Sequence, residues 1–162
     1  MSRTAVALMR FDLNQSIARL VALFKVSGCA AAPPVPPATT FLTPYGPPTR
    51  PFSPAVRVGN MIYLSGQMGT DASARGPLVE GGIEAETKQT MENIKEVLEK
   101  SGSSMARVVK CTVMMADMTE WDRMNAVYST YFPGNKPARS AFGVSGLALG
   151  ARVEIECWAT VD

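Results

Sequence analysis

The sequence predicts an α+β domain of order β-β-α-β-α-β-β, in which two helices lie on one face of a single mixed sheet. Three patterns carry that expectation. Residues 152–161 alternate Val153, Ile155, Cys157, Ala159 and Val161 with Glu154, Glu156 and Trp158, the two-residue period of a strand buried on one side. Residues 83–100 and 119–132 repeat apolar side chains at steps of three and four, as one face of a helix requires. The pair Gly59-Asn60 separates two short β-favouring runs and marks a tight hairpin.

Taken in order, residues 56–65 supply the hairpin, and residues 66–82, with five glycines and a proline, supply a loop. The first helix is rich in Glu, Lys and Ala, buries Thr87, Met91, Ile94 and Leu98, and stops at Ser101-Gly102. Residues 107–118 contain Val108, Val109, Val113, Met114 and Met115, a nearly continuous apolar run expected to form a strand buried on both faces, with Cys111 as a small apolar filler. Thr119 is expected to cap the second helix, with Asp122 in its first turn, and Met124, Val127, Tyr128 and Tyr131 in its buried stripe as far as Phe132. Strands over 138–144 and 152–161 complete two helices and roughly six short strands. The second sheet face still carries Trp158, so a closed homo-oligomer is expected to cover it.

Composition removes whole classes of chemistry. With no histidine, the chain has no imidazole to act as base, proton shuttle or metal ligand, which excludes Ser-His-Asp, Cys-His and His-metal sites. Sixteen Lys+Arg against fourteen Asp+Glu leave a formal charge of +2, and the basic residues are scattered, so no nucleic-acid footprint is present. The three cysteines, Cys29, Cys111 and Cys157, have no C-x-x-C spacing, and neither a disulfide framework nor a zinc site is indicated. Eight methionines between Met61 and Met124 fall on helix stripes and in the buried strand, where they read as core packing rather than as a copper site.

The N-terminal third is organised differently. Residues 1–29 carry four basic residues, one acid and a short apolar run ending in Val26-Ser27-Gly28-Cys29, which resembles a lipoprotein signal with Cys29 as the lipidated residue. That implies a periplasmic or membrane-tethered protein. Lys25 interrupts the apolar run, and Val6, Met9, Leu13, Ile17, Leu20 and Phe24 also fit an amphipathic transit or surface helix. An over-extended start is the third alternative, and without export the protein would be cytoplasmic. Nine of the twelve prolines lie between Pro33 and Pro54, so residues 30–49 read as a semi-rigid linker and residues 50–162 as the folded domain.

Four stretches of that domain resemble one family. Gly59-Asn60-Met61-Ile62-Tyr63-Leu64-Ser65-Gly66-Gln67, Gln89-Thr90-Met91-Glu92-Asn93-Ile94, Pro137-Ala138-Arg139-Ser140 and Val153-Glu154-Ile155-Glu156 are similar, in order and spacing, to the reactive intermediate deaminase family (RidA, or YjgF). The resemblance implies a chorismate-mutase-like fold, a barrel-shaped homotrimer with clefts between subunits, and hydrolysis of 2-imino acids and enamines to 2-oxo acids and ammonia, with no cofactor and no metal. It assigns catalytic roles to Arg139 and Glu154 and places Ser65, Gly66, Asn125, Ala141 and Phe52 around a small imino acid substrate. Arg139 suits a substrate carboxylate because guanidinium offers a planar fork of donors and keeps its charge. Glu154 suits the water, as a carboxylate that orients it and accepts its proton.

Phe52 stands where many members carry tyrosine, so a hydroxyl is missing there, and Ala141 stands where some carry cysteine. On residue type alone, Arg139 is a strand-end arginine paired with a carboxylate, Glu156 a solvated or ion-paired residue and Ser65 a turn residue. Trp121 reads as a staple-like packing residue at a helix start, and Trp158 as an interface residue. A non-catalytic trimer binding small carboxylates or partner proteins is the alternative function.

Overall fold

The computed structural model of the chain describes residues 36–47, 49–71 and 76–161. The segment 1–29, with Cys29, lies outside the described residues. Element order is β1 (Thr39–Leu42), β2 (Ala55–Val58), β3 (Met61–Leu64), β4 (Gln67–Met68), α1 (Gly82–Lys100), β5 (Val108–Met115), α2 (Trp121–Thr130), β6 (Ala138–Gly143) and β7 (Val153–Thr160). The strands form one sheet in the order β1-β2-β3-β7-β5-β6, with β4 also paired to β7. Among the described residues only β5 and β6 run parallel, and the other pairings are antiparallel. This is the mixed sheet with two helices on one face that the sequence predicts.

The hairpin closes at Val58↔Met61, and Gly59 takes a positive φ of 59° that a side chain would resist. Helix α1 ends in a Schellman arrangement: Ser103 N–H donates to Leu98 O and Gly102 N–H to Glu99 O, with Gly102 at φ 81°. Its apolar stripe, Ile83, Met91, Ile94, Val97 and Leu98, is buried with Val153, Ile155, Ala159 and Val161 of the terminal strand region, and Met124, Tyr128 and Phe132 extend the same core.

Four expectations are corrected. The sheet begins at Thr39, inside the stretch read as linker, because residues 38–43 are a proline-free run of β-formers that pairs along β2 from Thr39↔Val58 to Leu42↔Ala55. Strand β5 is buried on one face only. Val109 falls at a register shift and is 41% exposed, while Lys110, Thr112 and Met114 turn to the uncovered side. Asp117, not Thr119, is the capping residue: its carboxylate accepts from Thr119 N (2.8 Å) and Thr119 Oγ1 (2.8 Å) ahead of a single 3-10 turn, and α2 then starts at Trp121. The helix tightens before Pro133, with Tyr131 N donating to Tyr128 O and Phe132 N to Ser129 O.

The fourth correction is chemical. Cys111 and Cys157 are not apolar fillers but a disulfide, because β5 and β7 place them directly opposite each other with Cα atoms 4.1 Å apart. Both are fully buried on the helix side of the sheet.

Among the described residues, the side of the sheet opposite the two helices carries a band of aromatic and polar groups. Tyr63 and Trp158 are cross-strand partners whose rings meet edge to face at 5.1 Å, and Trp158 remains 39% exposed. Among the described residues no helix is long and apolar enough to cross a membrane.

Candidate active site

The predicted site residues fall into two groups, one on each side of the sheet. The first is built around Glu154. Strand β7 alternates, so Ile155 enters the core while Glu154 and Glu156 share the uncovered face. Glu154 is half-buried beside Gly66, and a Cβ built on Gly66 would stand 1.9 Å from Glu154 Oε1. Burial, and then the charge of Glu156, push the Glu154 carboxyl above its usual range. The carboxylate is thus a stronger base than a solvated one.

Ser65 ties a third segment to this corner. Its hydroxyl donates to Ser53 O (2.7 Å) and its N–H to Pro54 O (3.0 Å), which holds the stretch containing Phe52 against the end of β3. Phe52 stays exposed, with the Arg50 guanidinium 5.8 Å from its ring centre. Strand β4 is anchored from below by α1: Asn93 Nδ2 donates to Met68 O (3.0 Å) and Thr70 O (3.1 Å), and Gln89 Nε2 fixes the amide by donating to Asn93 Oδ1 (2.9 Å). This polar pair explains why Gln89 and Asn93 sit on the inner side of an amphipathic helix. Residue type alone did not mark them as supports of the site.

The second group is built around Arg139. It lies on β6 opposite Cys111, so its side chain rises on the helix side and meets α2. Nη1 donates to Asn125 Oδ1 (2.9 Å), and the guanidinium carbon lies 5.0 Å from the Trp121 ring centre and 4.7 Å from that of Tyr128. Ala141, two residues along β6, is half-buried on the same face. Among the described residues no carboxylate pairs with Arg139, whereas Arg123 and Arg152 are engaged by Glu84, Glu86 and Glu120. The bland expectation of a structural ion pair does not apply. Trp121, expected as a packing residue, packs against the core and also contacts Arg139. The spacing of Trp121, Asn125 and Tyr128, at i, i+4 and i+7, was the signal in the sequence that could have marked the set.

One chain does not join the two groups. Arg139 shares a register row with Cys111 and Cys157, Glu154 shares one with Met114 and Phe142, and the two side chains leave opposite faces with β5 between their strands. Among the described residues no group of three or more His, Cys, Asp or Glu is arranged to hold a metal ion.

The family model described as Endoribonuclease L-PSP matches residues 45–161. The chain is 48% identical over 106 residues to the 2-iminobutanoate/2-iminopropanoate deaminase of Mus musculus, covering 65% of this chain and 78% of that protein. Among solved structures it is similar to RidA from the Antarctic bacterium Psychrobacter sp. PAMC 21119, with a TM-score of 0.67 and 36% identity over 75% of this chain and 98% of that one. It is also similar to YEO7 of yeast, with a TM-score of 0.70 and 38% identity over 77% and 100% of the two chains.

Proposed function

We propose, because this chain belongs to the reactive intermediate deaminase family, that it hydrolyses 2-imino acids and their enamine tautomers to 2-oxo acids and ammonia. The observation that carries the reading is Arg139, a half-buried cation held by neutral groups and left without a carboxylate partner among the described residues. The guanidinium receives the substrate carboxylate. The iminium carbon next to it is already electrophilic and needs only a positioned water. Glu154, whose carboxyl is held above its usual range by burial and then by the charge of Glu156, accepts the proton as that water adds to carbon. Glu154 returns that proton to the carbinolamine nitrogen. The C–N bond breaks as the hydroxyl becomes the carbonyl and gives its proton to the departing ammonia, so one iminium and one water give one 2-oxo acid and one ammonium with the carboxylate regenerated.

The assembly proposed for this chemistry is a homotrimer. Its support is the separation of Arg139 from Glu154 on opposite faces of one chain, together with the exposed Tyr63 and Trp158 band. In a closed assembly the Arg139 group of one copy meets the Glu154 group of the next. Light scattering should give about three times the monomer mass. A stable monomer with full activity would reject the shared site.

An amino acid oxidase generates imines in situ, and semicarbazide traps whatever escapes hydrolysis. Active protein lowers the semicarbazone yield. Arg139→Ala removes a charge-assisted contact worth on the order of 2–4 kcal/mol, so binding and turnover fall together. Wild type no faster than buffer, yet still binding pyruvate through Arg139, would leave a carboxylate-binding module.

For location, the proposal is export with lipidation at Cys29. The buried Cys111–Cys157 disulfide supports folding in an oxidising compartment. Mass spectrometry of the mature N-terminus decides it: a fatty-acylated Cys29 is expected, and an intact leader in the soluble fraction rejects it.

A further inference from the structure

The surroundings of Arg139 do more than cover it. Trp121, Asn125 and Tyr128 stand on one face of α2, their backbone positions spread over roughly 10 Å of the axis at about 1.5 Å per residue. The guanidinium carbon lies over both rings, 5.0 Å from the Trp121 centre and 4.7 Å from that of Tyr128, with the Asn125 amide oxygen accepting from Nη1 at 2.9 Å. All three contacts come from neutral groups. A carboxylate would orient the arginine equally well, but it would compete with a substrate carboxylate for the same donors. Ring faces attract the cation through their quadrupole and leave its hydrogen-bonding edge and its full charge to the ligand.

Tyr128 supports this division of labour. It is 6% exposed, and its hydroxyl has no hydrogen-bond partner among the described residues, so the ring rather than the hydroxyl is the part in use. Trp121 is half-exposed at the start of the helix, and its ring face also meets the cation.

We infer that Trp121 and Tyr128 are positioning residues, an aromatic clamp that presets Arg139 for carboxylate capture without neutralising it. The inference rests on the proposed role of Arg139, and it fails separately. Pyruvate is the probe, read as a competitive inhibitor and by calorimetry on the full chain. Trp121→Phe keeps a ring face and should hold the pyruvate inhibition constant and KM within about twofold. Trp121→Leu keeps apolar cover but has no ring, and should raise both roughly tenfold, the size of a partly desolvated cation–π contact, while kcat and Tm change little. Tyr128→Phe should be neutral. Should Trp121→Leu fail to fold, site-specific fluorinated tryptophans at 121 keep the shape and drain the ring face, so pyruvate affinity should fall stepwise with fluorine number. A Leu variant that binds as wild type does, a Phe variant as impaired as Leu, or fluorination without effect would each overturn the clamp. Wild type that binds pyruvate with this ring dependence but hydrolyses no imine would leave the clamp standing and remove the deaminase.

Discussion

Gly66 and Glu154 occupy adjoining space with no room for a methyl group between them: a Cβ on Gly66 would fall 1.9 Å from Glu154 Oε1 and 2.8 Å from its carboxyl carbon. What must yield is the end of a flexible side chain, not backbone. Gly66→Ala should therefore fold, with Tm within a few degrees of wild type, while the carboxylate swings away from its position. Imine hydrolysis should fall on the order of 100-fold, the usual contribution of a positioned base. Retained activity would show that the position of the Glu154 carboxylate is not critical.

Glu154 also makes a pH prediction whose sign follows from its surroundings. Burial and the neighbouring Glu156 raise its pKa above 4.5 in the folded chain. The fold thus favours the protonated form, a contribution complete below the unfolded value and lost as pH rises through the folded one. Glu154→Gln should match wild type in stability below the ordinary carboxylate range and exceed it above the elevated value. Activity should move the opposite way, rising with pH as the base ionises, and the Gln variant should lose that rising limb. Chemical denaturation and semicarbazone assays from about pH 3, more than one unit below the ordinary Glu value of about 4.3, to about pH 8 read both.

Phe52 offers a gain-of-function test. Its segment is tied to Ser65 through Ser53 and Pro54, its ring is exposed, and it has no hydroxyl to offer a substrate or water. Phe52→Tyr should raise kcat/KM several-fold, on the order of one neutral hydrogen bond, with pyruvate binding nearly unchanged. No gain would mean that the missing hydroxyl does not limit the reaction.

Much of the fold was legible because its signals are local. Alternation in β7, the Gly59 turn and the Gly102 helix stop each follow from a few adjacent residues, and each appears where the pattern puts it. What escaped was set by pairing partners distant in sequence. Residues 39–42 become a strand only because β2 offers an edge, and β5 shows its polar face only once β6 and β7 fix its orientation. The site divides the same way. Residue type and motif marked Arg139 and Glu154, but that they leave opposite faces of one sheet depends on register, which no single segment contains.

Register also brought Cys111 and Cys157 together, 46 residues apart in sequence and neighbours across β5 and β7. Closing a loop of that length removes unfolded-state entropy worth about 2–4 kcal/mol. Both sulfurs are fully buried, so a reductant reaches them only when the strands open. Cys111 also sits beside Arg139 in the parallel pairing, under the helix that holds the arginine. Reduced protein should therefore unfold at lower denaturant, by about that free energy and with a somewhat larger m-value as the unlinked unfolded chain exposes more surface, and reduction of the native state should be slow and accelerate near Tm. Cys111→Ala/Cys157→Ala should reproduce the lowered midpoint and become insensitive to reductant. A midpoint identical with and without reductant, under conditions where mass spectrometry confirms two free thiols, would show that the bridge does not stabilise the fold.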